Sequence, residues 1–441
     1  MGDYISLMMF PTLIAFIIAG FPIAFSMIIV AVGFGLVLFG DDTAYQLISK
    51  IEDTSFSSVL SAIPLFIFMG AMLEKSGIAN RLFDAVHLWT QRIPGGLGVG
   101  AVIMCTLFAA SSGVVGATEA VIGMLAVPAM LKYHYNKSLI SGTICASGSL
   151  GTAIPPSITV IVLGPVAGVS VGSLFAGLLI PGFLMATFFL IYIVGAVYFK
   201  LEMAPKIVDD KFNVSLAEKL RITLVALILT LSLICIVLGS ILMGAATPTE
   251  AAACGALGAT IIAIIYRNLS FEILWNSARQ TMNISAMILM IVIGGSMFAG
   301  VFFASGGMGS VQSFLVSHGL SPWAIIGPIL LIAFIAGFVL DLISVIIIVP
   351  VAMPLVRTLG FDEIWFSVAF LVVLQTSYLT PPLAPAIFYL RAISPPEITL
   401  KHMYIGVIPF IIVQLVVLVL ILAFPSLALW APDALSGPYW K

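Results

Sequence analysis

The stretch GTAIPPS, residues 151–157, sits in the middle of an apolar segment at 138–164. Adjacent prolines there remove two backbone donors and clash with the preceding turn. In hydrocarbon such a break persists only where it is buried in protein or lines a cavity. A second stretch, SYLTPPL at 377–383, carries its proline pair 226 residues further on. The same offset brings Pro22 onto Pro248 and Pro128 onto Pro354, and Ser76-Gly77 meets Ser305-Gly306 at 229. Four proline coincidences at one offset among 24 prolines point to an internal duplication.

Composition sets the class around that repeat. The chain of 441 residues is 61% hydrophobic and 8% charged, with a mean hydropathy of +1.23, whereas soluble domains carry about 25% charge. It is expected to be an all-α polytopic membrane protein. The first basic residue is Lys50, so the run from Tyr4 to Phe39 lacks the basic start of a cleaved signal and is expected to remain. The four cysteines lie in apolar segments without CxxC spacing, which fits packing better than metal or disulfides.

Each half offers the same ordered set of apolar segments. The first half, residues 1–199, has them at 4–19, 22–39, 56–74, 97–131, 138–164 and 174–199. A polar linker at 200–220 follows, with Ser215 and Glu218 spaced as a capping box. The second half, 221–441, has segments at 221–243, 249–266, 283–303, 323–356, 364–390 and 403–424. The fourth segment of each half, at about 51 Å as a helix, is too long for one crossing of a 30 Å core. Small residues in its middle, AASSG at 109–113 and IAGF at 335–338, fit a re-entrant hairpin. Five crossings per half remain, an odd number, so the halves are expected to be inverted repeats. Under this topology 14 of the 17 Lys and Arg fall on one face, and only Lys50, Arg357 and Lys441 on the other. The positive-inside rule makes the first face cytoplasmic and puts both termini outside. Segments 75–96 and 304–322 are long enough for interfacial arms joining a fixed frame to a moving core.

The breaks at Gly151–Pro156 and Ser377–Pro382 free carbonyls at membrane depth, where a cation, a ligand or other protein must satisfy them. In inverted-repeat carriers unwound carbonyls coordinate Na+. One cation is expected between Ser112 with its neighbours and Gly151, Ile154 and Pro156, and a second between Gly337 and Ser377 with Thr380. A lone membrane proline is often only a kink; two matched pairs beside two matched hairpins favour ligand sites. Ser111, Thr152, Ser157, Thr376 and Tyr378 are the nearest polar side chains and candidates for substrate contact, although Ser and Thr in membrane helices also bond local backbone. Asp341, the only charge between 323 and 356, is a candidate as support for a cation, as a proton carrier, or as a partner of exposed hairpin amides. Glu119 fits a structural role, and Glu250, at the third position after Thr247, fits a capping box.

The IPPS and TPP motifs with their Ser/Gly hairpins, TPTEAAACGALGA at 247–259 and FYLRAISPPEIT at 388–399 resemble the large membrane subunit of tripartite ATP-independent periplasmic (TRAP) transporters over almost the whole chain. The second clip departs from the family in reading SYLTPPLAP where a Gly usually follows the prolines. The resemblance implies an elevator-type symporter for organic acids in a bacterial or archaeal inner membrane. It would use Na+ as coupling ion, without an organic cofactor, and work with a small four-helix membrane subunit and a periplasmic substrate-binding protein. It also implies Ala109, Ser112, Gly151, Ile154 and Pro156 for one ion, and Gly337, Ser377 and Thr380 for the other. A stand-alone two-hairpin sodium-coupled anion symporter shares this architecture and differs in needing no partners. An intramembrane enzyme is disfavoured, because HExxH is absent and Glu119 and Asp341 belong to separate hairpins. A channel is disfavoured because no charged or carbonyl ring repeats by rotation, and nothing points to nucleic acid.

Overall fold

The computed structural model describes residues 2–91, 93, 95–113, 116–205, 215–309, 311, 313 and 321–435, with side chains for all of these except 2–4, 112, 117 and 339–343. The described residues are predominantly helical and contain no strand. Among the described residues, five single helices are long and apolar enough to cross a bilayer: Val171–Phe199, Leu216–Leu242, Pro248–Ile265, Phe271–Ala304 and Leu400–Ala423.

Three elements depart from the apolar runs. The run at 283–303 is the second part of Phe271–Ala304, whose early turns carry Glu272, Trp275 and Arg279; polar residues end the run without ending the helix. The arm at 75–96 is the helix Ile78–Thr90, bent by 64° from Ala62–Lys75 through Gly77 at φ +76°, a conformation that glycine adopts without a steric cost. In its counterpart at 304–322, residues 310, 312 and 314–320 lie outside the described residues. Asp42–Ser55 is a helix that no apolar run announces, because it is amphipathic and buries only Thr43, Leu47 and Thr54.

The N-terminal helices Met9–Ile18 and Ile23–Phe39 pack with Asp42–Ser55 on Phe271–Ala304 through a small separate core of Met9, Leu13, Met27, Leu47, Phe298 and Phe302. Phe10 meets both phenylalanines edge-on at 5.3 Å. The larger core holds the hairpins and broken segments. Cys105 and Cys145 are buried there, whereas Cys235 and Cys254 are exposed. Trp365, in the first turn of the helix that starts at Glu363, is buried, and its indole donates to Ile421 O at 2.9 Å.

Gly96–Ser112 and Ala117–Lys132 form a hairpin whose ends meet, since Leu97 N–H donates to the Tyr135 hydroxyl at 3.3 Å. Pro322–Thr358 is helical along its length and would span about 55 Å if straight. Trp323 nevertheless meets Phe361 at 5.3 Å and Trp365 at 5.9 Å. Both ends of the run therefore lie on one side, and it doubles back. The segment at 138–164 is broken into Lys137–Gly148, a tighter turn at Ser149–Thr152, and Ile158–Ala167. That at 364–390 is broken into Glu363–Leu379 and Pro385–Ile393. Even their starts correspond: Asn136 accepts from Ser138 and Leu139 N–H, and Asp362, 226 residues on, from Trp365 N–H.

Lys137–Gly148 lies against Leu400–Ala423 with backbones nearly touching. A Cβ on Gly406 would overlap the Ser138 carbonyl, and one on Gly142 the Gly406 carbonyl. Gly406→Ala should lower stability by about 1–3 kcal/mol, read as a drop in melting temperature. Gly327→Ala, whose added Cβ meets nothing within 4 Å, should stay within about 0.5 kcal/mol of the parent. Equal melting temperatures for the two variants would show that the helices are not so close.

Candidate functional site

Each proline pair acts where the helix would next need a donor. Pro155 and Pro156 leave the carbonyls of Gly151 and Thr152 without their i+4 N–H groups. The turn recovers only part of the loss: Ala153 and Ile154 N–H both donate to Leu150 O, at 3.0 and 2.8 Å. The first hairpin delivers its tip to this gap. Gly113, at φ +61°, ends the first arm, and a Cβ there would stand 2.6 Å from Pro156 O. Ile158 N–H donates to Gly113 O at 3.3 Å, so the tip also caps the helix restarting after the break. Ala109 O, by contrast, is taken by Gly113 N–H at 3.0 Å. Ser112 closes the arm on helical backbone, and its side chain lies outside the described residues.

Glu119 is a structural part of this tip. It is fully buried, its Oε2 accepts from Gly116 N–H at 2.7 Å, and its chain lies on Gly148 just before the break. Oε1 has no hydrogen-bond partner among the described residues. Gly116 in turn faces the ring of Tyr389 in the far arm of the second broken helix.

At the second break Gly337 sits directly on Ser377, where a Cβ would overlap the hydroxyl. Leu379 ends the helix and Thr380 turns to extended backbone at φ −88°, ψ 126°. The Thr380 hydroxyl donates to Thr376 O at 2.7 Å and its N–H to Ser377 O at 3.1 Å, so Thr380 covers two carbonyls beside the prolines. Ala384 resumes the chain at φ +44°. Asp341 is on the helical run between the two arms, and its side chain lies outside the described residues.

The side chains singled out for substrate are brought to the two breaks, all buried. Ser111 donates to Phe108 O, Thr152 to Ser149 O and Thr376 to Val372 O, in each case local backbone. Tyr378 is packed in the interior, and Ser157 Oγ is buried with no hydrogen-bond partner among the described residues.

A crevice of about 300 Å³ opens elsewhere, between Asp42–Ser55 and Phe271–Ala304 on one wall and Pro165, Ile346 and Pro350 on the other. Lys50 with Asp53 at 3.1 Å, Thr54 bonded to Ser296 at 3.0 Å, and Ser57 supply its polar groups. Sequence reading missed this lining because three of the five polar residues just named, Lys50, Asp53 and Thr54, lie on the unannounced amphipathic helix. The isolation of Lys50 on a face almost without basic residues was the available signal.

Residues 10–427 match the family described as Tripartite ATP-independent periplasmic transporter, DctM component. The chain is 32% identical to the C4-dicarboxylate TRAP transporter large permease protein DctM of Pseudomonas aeruginosa, over 91% of this chain and 92% of that one. It is 31% identical to the ectoine/5-hydroxyectoine TRAP transporter large permease protein UehC of Ruegeria pomeroyi, over 96% and 98%. The fold is similar to that of the YdaH transporter of Alcanivorax borkumensis, with a TM-score of 0.62 at 13% identity over 98% of this chain and 100% of that one. The motif set read from the sequence and the match along nearly all of the chain agree: it belongs to the tripartite ATP-independent periplasmic transporter family, as the DctM component, the large permease protein.

Proposed function

We propose that the chain carries an organic acid inward across the inner membrane, coupled to Na+, by an elevator movement of a core against a frame. The observation that carries this reading is the pairing of each break with a hairpin: Gly113 on the Pro156 carbonyl, and Gly337 on Ser377. Carbonyls left without donors by proline pairs, closed over by a tip of small residues, form a cage of neutral oxygens suited to a hard monovalent cation. The first cation is held by Ala109, Ser112, Gly151, Ile154 and Pro156, in which the Gly151 carbonyl, without its i+4 donor, is the strongest ligand and the engaged Ala109 carbonyl offers its second lone pair. The second is held by Gly337, Ser377 and Thr380. Ser111, Thr152, Ser157, Asp341, Thr376 and Tyr378 serve the substrate side of these cages.

The cross-packing of the halves supports inverted repeats. The tip of the first hairpin touches the far arm of the second broken helix, Gly116 on Tyr389. The second hairpin, at Arg357, donates to Ala167 O in the far arm of the first broken helix. Each hairpin thus bridges both breaks, and the core moves as one body. The frame is the N-terminal bundle with Phe271–Ala304, and the crevice at Lys50 is where it faces the core. A carboxylate entering there meets three hydroxyls and the ammonium of Lys50, for which it competes with Asp53. C4-dicarboxylates and ectoines, named for the relatives, are carboxylates, and the same class is proposed here. A small membrane subunit and a periplasmic binding protein complete the transporter, and both termini of this chain face the periplasm.

Two outcomes test the reading. A ligand that binds only the folded chain adds stability as RT ln(1 + [L]/Kd), about 2.7 kcal/mol at one hundred times Kd. NaCl should therefore raise the melting temperature of the purified chain above choline chloride of equal ionic strength, and Ser112→Ala and Thr380→Ala should each remove part of the difference. Identical curves in the two salts would refute sodium coupling at these sites. For the movement, Gly295 and Ile346 face each other across frame and core, with the Cβ positions 3.2 Å apart, close to disulfide reach. Gly295→Cys with Ile346→Cys, in a chain with Cys235 and Cys254 replaced by Ala, should lose uptake on oxidation and regain it on reduction when assembled with its partners. Full uptake in the crosslinked state would exclude the elevator.

A further inference from the structure

The two breaks are joined by a buried polar contact. Ser149 begins the tight turn two residues before Gly151, and Gln375 lies two residues before Ser377. The positions are 226 apart, the offset of the proline pairs. In the fold they meet: Gln375 Nε2 donates to Ser149 Oγ at 3.5 Å, and Gln414 of Leu400–Ala423 donates to the same oxygen at 3.4 Å. All three residues are fully buried. Ser149 Oγ donates in turn to Ala146 O at 2.8 Å. The amide oxygens of Gln375 and Gln414 are both without a hydrogen-bond partner among the described residues.

We propose that Ser149, Gln375 and Gln414 couple the two cation sites, so that filling one break sets the affinity of the other. This rests on the sodium reading above and goes beyond it by naming the residues that link the sites. Three features point this way. The contact runs from one break to the other without passing through either hairpin. Both donor bonds are long, and two amide oxygens lack partners, so the cluster is not held in one arrangement. A second arrangement is open to the same atoms, in which one glutamine amide flips and its oxygen accepts from the Ser149 hydroxyl in place of Ala146 O. Releasing Ala146 O loosens the last turn before the first break, while drawing on Gln375 shifts the turn that ends at Ser377. A cation that fixes the backbone at either break selects one arrangement, and the other break receives the same bias, as reciprocal coupling requires. These residues are positioning residues, since none of them is a ligand in either cage.

The test is equilibrium sodium titration of the purified chain, because transport that requires both ions is sigmoidal in sodium even when the sites are independent. Two coupled sites give a Hill coefficient well above 1, with a ceiling of about 2. Gln375→Leu and Ser149→Ala should bring it to about 1, with sodium still bound and the melting temperature in choline chloride close to that of the parent. Gln375→Asn, which keeps an amide, should restore part of the cooperativity. Should Gln375→Leu fail to fold, Ser149→Ala, which removes a hydroxyl only, decides the matter. A parent Hill coefficient above 1 that is unchanged in the folded variants would overturn the coupling and leave the sodium sites standing. A parent that is sodium-dependent with a coefficient of 1 would also overturn it, and a parent indifferent to sodium would overturn both.

Discussion

The arrangement of this protein depends on one constraint: inside hydrocarbon a backbone carbonyl without a donor costs several kcal/mol. Continuous helices meet it by themselves. The chain breaks that solution twice, with Pro155-Pro156 and Pro381-Pro382; protein surrounds the first break, whereas at the second the helix before the prolines is buried and Pro381, Pro382 and Leu383 are exposed. The first hairpin ends in glycine at Gly113 because only a residue without Cβ comes so near the Pro156 carbonyl in a left-handed conformation. Gly337 meets the same demand at Ser377 by having no side chain to displace the hydroxyl. Gly142 and Gly406 let a supporting helix come close behind the first break.

Local hydrogen bonds distinguish the two breaks. At the second, Thr380 covers the Thr376 and Ser377 carbonyls with its own hydroxyl and N–H. At the first, Thr152 reaches back to Ser149 and leaves the Gly151 carbonyl free of its helical donor. The first break thus leaves carbonyls without their helical donors, whereas at the second a side-chain hydroxyl and an N–H cover them. Glu119, buried beneath the first tip, fixes Gly116 and so the approach of the hairpin to the break.

Much of this was legible in the sequence because it is written in prolines and in hydrophobic length. The proline pairs located both breaks, and an apolar run too long for one crossing announced each hairpin. The TRAP motifs gave the family that the comparison with known proteins establishes. Amphipathic and tertiary features were not legible. Asp42–Ser55 alternates polar and apolar residues at helical spacing and leaves no run, so the Lys50 crevice went unseen. Phe271–Ala304 begins in polar residues and was read too short. Gln375 and Gln414 look like isolated polar positions in apolar helices, and only folding brings them to Ser149.

The central claim is that both breaks are cation sites. Hydrogen exchange of the backbone around them, followed by mass spectrometry on the purified chain in NaCl and in choline chloride, addresses it most directly, because exchange reports local opening. Sodium should slow exchange in peptides covering residues 109–116, 149–160 and 375–388, while Leu216–Leu242 and the N-terminal helices stay unchanged. Equal exchange at both breaks in the two salts, or slowing spread evenly along the chain, would contradict it.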